Sequence, residues 1–221
     1  MKNTGKNTGK NTKEINDKNE FVRKNSEPAV SKDDLAEILN ANYCAKDLRD
    51  LFTESIKEIY LAEKKLTEEL PKIIENTTSE YLQTMIKEHL EITKNQLARL
   101  EGRFEIMEEE VSGVKSDAIE NLIREGKRVI NETEDGPVRD AGIIASLQKI
   151  KHYEIAAYGT VAAFAKTLGE DNLNVLLKQS LEEEKEADVQ LTKAAFNATN
   201  FNAARDEIKE KNNIRGIAKT V

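Results

Sequence analysis

The chain has 221 residues, 34 basic and 41 acidic side chains, a formal charge of −7, one cysteine and 38% hydrophobic residues. That is the length of one ordinary domain with tails, and the lone Cys44 excludes an intramolecular disulfide framework and any zinc site built on two thiolates. The acidic balance, with Lys and Arg scattered among Glu and Asp, argues against nucleic acid. The lack of any apolar run near the ~18 residues of a spanning helix argues against a membrane partner or signal peptide and leaves a cytoplasmic setting as the expectation.

Residues 1–34 open with the polar repeat KNTGKNTGKNTK, which has no apolar side chain to offset the entropy of ordering, and are expected to form a disordered tail. Residues 45–196 read as one helical domain and 197–221 as a second polar tail. Counted over 1–34 and over 199–221, each tail is net +2, so the middle carries −11. Four long helical patterns follow one another there: about Leu48 to Ile74, Ser79 to Met107, Val138 to Leu168 and Asn172 to Phe196. Pro71 is expected to kink the first or end it early. The turn Asn76 to Ser79 joins the first pair and Gly169 to Asn172 the second, both short enough to force antiparallel neighbours. The connection between the pairs is long and carries its own amphipathic piece, Ser116 to Glu134, before the break at Asp135-Gly136-Pro137. The expected fold is all-α: an antiparallel four-helix bundle of ferritin-like connectivity, with a long crossover bearing an extra short helix between helices 2 and 3.

The apolar seams of these helices are interrupted by carboxylates. The first helix reads Phe52, Ile56, Ile59, Glu63, Leu66, Leu70, Ile73; the third reads Ile144, Leu147, Lys151, Glu154, Tyr158, Val161, Ala165; the fourth reads Leu173, Leu177, Ser180, Glu184, Ala187, Leu191, Ala194. On the second helix the seam is Ile86, Leu90, Thr93, Leu97, Leu100, Phe104, Met107, with His89 and Gln96 at its edge and Glu91 about a quarter-turn away. Folding each hairpin about its turn sets residue 63 opposite 91, and residue 154 opposite 186, between Glu184 and Asp188. An offset of two residues is about 3 Å of rise, so all four groups fall at similar depth. Converging buried carboxylates repel one another unless a cation or protons neutralise them. An oxygen-rich site favours iron or manganese over zinc or copper, and the two histidines, His89 and His152, lie near the same depth as nitrogen donors. The alternative is that each carboxylate is a partly exposed ion pair and each histidine an interhelical hydrogen-bonding group. Tyr60 and Tyr158 are candidates for hydrogen bonds to the layer.

The stretches LFTESIKEIYLAEKKLTEELPKI, EHLEITKNQLARLEGRF, VRDAGIIASLQKIKHYEIAAYGT and LLKQSLEEEKEADVQLT resemble the YciE/YciF family of bacterial stress-associated ferritin-like proteins, over about Asp50 to Ala195. The resemblance implies a helical bundle that forms homodimers and is related in fold to di-iron proteins. Carried onto this chain, the matching metal positions are Glu63, His89, Glu91, His152, Glu154, Glu184 and Asp188, with Tyr158 beside them. The repeated Glu-x-x-His of ordinary ferritins is missing, because Glu91 is followed three on by Lys94 and Glu184 by Ala187. Ile92 and Lys151 stand where the resemblance implies acidic residues, and a lysine there is able to replace a metal's charge. Two functions are therefore expected to compete. One is a stress-response protein binding iron or manganese and reacting with peroxide or oxygen. The other is a metal-free dimeric structural or interaction module.

Overall fold

The computed structural model describes residues 44–107, 116–205 and 208, apart from the side chains of 103–107, 197, 198 and 201. The expected N-terminal tail, most of the C-terminal tail, and the seam side chains of Phe104 and Met107 lie outside the described residues. The described part is helical, with no strand: α1 (Leu48–Glu75), α2 (Glu80–Met107), α3 (Asp117–Glu132), α4 (Pro137–Thr167), α5 (Asp171–Ala194), a π-helical turn (Ala195–Thr199) and α6 (Asn200–Ala203). No helix among the described residues is long and apolar enough to cross a membrane.

Local chemistry sets the helix ends. Asp47 caps α1 by accepting from the Asp50 N–H at 2.9 Å, and Asp50 accepts in return from the Lys46 N–H at 3.0 Å. α1 does not end at Pro71; it runs on to Glu75, since the proline removes one ladder hydrogen bond on an exposed face while Leu70 stays buried in the core. The close of α4 is a Schellman motif: Gly169, at φ 77°, and Glu170 return their N–H groups to the Lys166 and Ala165 carbonyls. Helical structure also continues beyond Phe196, where a polar tail was expected, and Thr199 is buried there.

Long-range contacts fix how the helices run. Asp140, in the first turn of α4, is buried and accepts from the backbone N–H groups of Thr78 and Ser79 at 2.8 and 2.9 Å, pinning the α1–α2 turn. At the other end Arg49 of α1 pairs with Glu170 in the α4–α5 turn at 2.8 Å. α1 and α4 are therefore antiparallel neighbours. α2 and α5 meet where Gln96 and Arg99 reach Ser180, Glu183 and Glu184, again antiparallel. α3 lies on α4 at Gly142, where a Cβ would come within 2.4 Å of Val129 Cγ1, so this close approach needs glycine.

The apolar core falls into two clusters. One gathers Leu66, Leu70, Leu82, Ile86, Ile119, Ile143, Leu147 and Leu191; the other gathers Phe52, Ile56, Ile59, Leu100, Val161 and Leu177. Between them in sequence lies a set of buried polar side chains: Glu63, Thr93, Gln96, Lys151, Glu154, Ser180 and Glu184. The seams of α1, α4 and α5 are buried as their spacing indicates, with Ile73 and Ala187 half-buried. On α2 the polar Gln96 is fully buried and Leu97 is only half-buried, the reverse of the expected seam.

Candidate functional site

The polar layer is built around Lys151. Its position on the seam of α4 directs a four-carbon stem and a charged head into the core, where only 2% of the residue is exposed. The ammonium nitrogen lies 2.5 Å from Glu154 Oε2 and 2.5 Å from Glu184 Oε2, and it contacts His89 Nε2. The Glu154 contact is an ion pair outside hydrogen-bond alignment, because neither oxygen of Glu154 has a hydrogen-bond partner. Glu184 is held from a third side by Gln96, whose Nε2 donates to Oε1 at 2.7 Å. On α1, Glu63 accepts from the Tyr158 hydroxyl at 2.6 Å, while its other oxygen is unpartnered. Outside this group Arg99 pairs with Glu183 and also donates to Ser180 Oγ at 3.1 Å.

Burial and mutual charge set the protonation of the layer. Desolvation, with the Glu184 charge adding to it, pushes Glu63 up to about 8. Desolvation also holds Glu154 well above the usual carboxylate range, reinforced by Glu184. Glu184 is desolvated too, but the Lys151 charge, with bonds from Lys151 and Gln96, wins and draws it down to about 2. Lys151 stays charged, because Glu154 and Glu184 together outweigh the cost of burying it. His89 is pushed down to about 3 by burial and by the neighbouring ammonium, and is neutral. The layer thus sets the Lys151 cation against the Glu184 anion, while burial favours a proton on Glu63 at neutral pH and disfavours the charge on Glu154. The balancing positive charge comes from within the bundle.

Of the expected metal positions, the structure brings together Glu63, His89, Glu154 and Glu184, and not Glu91, His152 or Asp188. Glu91 is exposed and pairs with Lys94 at 2.7 Å; two residues from His89 is more than half a helical turn of rotation. His152 follows Lys151 by about 100° of rotation, which turns it out to solvent with its side chain 69% exposed. It faces Asp188 at 3.6 Å, one turn of α5 beyond Glu184. Tyr60 donates to Glu101 at 3.4 Å. Arg99, Glu183 and Asp140 were not singled out by the seam pattern. Arg99 and Glu183 flank seam positions, and Asp140 carries no signal beyond an acidic residue in a first helical turn.

One donor atom from each of His89, Glu154 and Glu184 lies within 4.8 Å of the others, a spacing compatible with a metal ion. The ammonium of Lys151 already contacts all three residues, so this arrangement does not fit a divalent cation unless Lys151 leaves it.

Residues 47–204 match the family described as a domain of unknown function, DUF892. The chain is 41% identical to protein YciF of Escherichia coli over 162 residues, which is 72% of this chain and 96% of that protein. Its structure is similar to the crystal structure of the E. coli stress protein YciF, with a TM-score of 0.66, 42% identity, and coverage of 71% of this chain and 99% of that one. It is also similar to YcfI of Rhodopseudomonas palustris, provisionally described as a structural protein, with a TM-score of 0.64, 38% identity, and coverage of 68% of this chain and 98% of that one. The chain belongs to the DUF892 family, as a YciF-like member.

Proposed function

We propose that this chain is a ferritin-like four-helix bundle, with the α3 segment as the extra helix of its crossover, acting in the cytoplasm as a dimeric stress-associated structural or interaction module. In this reading its own lysine takes the part a metal ion would play. The single observation that carries it is the Lys151 ammonium at 2.5 Å from both Glu154 and Glu184. A buried cation there offsets the repulsion that would otherwise call for a metal, and burial disfavours the charge on Glu63 and Glu154. The description of YcfI as a structural protein agrees with it.

The metal-binding reading has one observation in its favour. Glu63 Oε2, both oxygens of Glu154 and His89 Nδ1 are buried without a hydrogen-bond partner. With Lys151 withdrawn, Glu63, His89, Glu154 and Glu184 would hold iron or manganese, which would supply redox chemistry toward peroxide or oxygen. Thermal unfolding with and without added Mn(II), and with Fe(II) under anaerobic conditions, separates the two. A ion that binds only the folded state raises the midpoint in proportion to the logarithm of its concentration over Kd. The metal-free reading expects no shift in the wild type and a shift in Lys151→Glu; a concentration-dependent rise in the wild type would overturn it.

A further inference from the structure

A cavity of about 540 Å³ opens between α2 and α5, on the side of the polar layer toward the α1–α2 turn. Its walls are Leu70, Met85, Ile86, Leu147, Ala187 and Leu191, and its size falls within the range of small-molecule sites. Lys151 is buried and, with the half-buried His89, lies at the floor of the lining; Glu88 and Glu186 are exposed and form the lips, one on each helix.

The charges at floor and lips select the occupant. Lys151 is already engaged by Glu154, Glu184 and His89, so the floor has no free ammonium for an anionic head. Among the described residues Glu88 and Glu186 form no ion pair, and Glu186 accepts from the neutral Gln190 side chain. A second copy of this chain docking symmetrically would bring the same acidic lips face to face, a like-charge arrangement that opposes association. We propose that this cavity binds a small hydrophobic cation, whose apolar body fills the space between α2 and α5 and whose ammonium is held at the mouth by Glu88 and Glu186. The proposal goes beyond the metal-free reading and has its own readout.

Isothermal titration of the full chain with octylamine, octanol and octanoate at low ionic strength tests it. Octylamine is expected to bind once per chain, more tightly than octanol, with octanoate weakest. Neutralising both lips, in Glu88→Gln/Glu186→Gln, should weaken octylamine about tenfold, as expected for two solvent-exposed ion pairs, and leave octanol unchanged. Added salt should have the same selective effect. Ala187→Trp, which fills the cavity from its wall, should abolish binding of both. Because Glu88 and Glu186 are exposed, the lip variant remains informative even if Ala187→Trp does not fold. Equal affinity for the three probes, octylamine affinity unmoved by lip neutralisation, or one octylamine per two chains with release as dimers form would overturn the proposal.

Discussion

Replacing Lys151 by methionine keeps most of the apolar stem of the side chain and removes its charged head. Glu184 then has no cation beside it, and at pH 7 it must remain an unpaired buried anion or take a proton. Taking a proton is the less costly course. Its ordinary value is 4.5, so holding it protonated at pH 7 costs about 3 kcal/mol, at 1.36 kcal/mol for each of 2.5 pH units. That agrees with the ~3–5 kcal/mol typical of breaking a buried ion pair. In the wild type Glu184 titrates at about 2, so its stabilising contribution is fully present above 4.5 and is lost only as pH falls toward 2. The difference between wild type and Lys151→Met should therefore shrink from about 3 kcal/mol at pH 7 to about 1 kcal/mol at pH 5. Urea unfolding at both pH values measures this, and Lys151→Met/Glu184→Gln should recover most of the loss at pH 7. A Lys151→Met penalty under about 1 kcal/mol at pH 7, or one that does not change between pH 7 and 5, would refute the charge balance described above.

Glu63 titrates in the folded chain at about 8 against 4.5 for the free side chain, so its contribution to stability is present below 4.5 and is lost as pH rises through 8. Glu63→Gln should remove that loss, and denaturant unfolding at pH 5 and pH 9 should show the variant gaining on the wild type at the higher pH. Gly142→Ala gains about 1 kcal/mol of helix propensity but meets Val129 Cγ1, and overpacking of this kind costs about 1–3 kcal/mol. Thermal unfolding should show a net loss that reverses sign when the substitution is made in a Val129→Ala background. Asp140→Ala removes the acceptor of two backbone N–H groups and should cost about 2–4 kcal/mol, with faster amide exchange concentrated at Thr78 and Ser79.

Helical periodicity carried much of this architecture in the sequence. Apolar positions on a 4-3 spacing recur through Phe52, Ile56 and Ile59 on α1 and through Leu173 and Leu177 on α5, and the core takes those faces. Depth was legible too, since short turns fix the register of each hairpin, and Glu63, Glu154 and Glu184 do come together. Rotation was less so. A stripe tolerates an error of one residue, or about 100°, and that error separates buried Lys151 from exposed His152 and exchanges Gln96 for Leu97 on α2. The reach of long polar side chains was not legible either. Nothing in a seam pattern states that Gln96 crosses to Glu184, or that Asp140 holds a turn more than sixty residues away. Pro71 shows the limit of local rules: on an exposed face, with Leu70 packed beside it, it did not stop the helix.

The central claim is that the polar layer is neutralised by Lys151 and not by a metal ion. Its most direct test is elemental analysis of untagged protein purified without chelator, before and after anaerobic loading with Fe(II) or Mn(II) and desalting, beside a Glu184→Ala variant checked by circular dichroism. The account predicts iron and manganese at trace levels in both proteins, with no difference between them. Near-stoichiometric metal in the wild type that disappears in Glu184→Ala would contradict it.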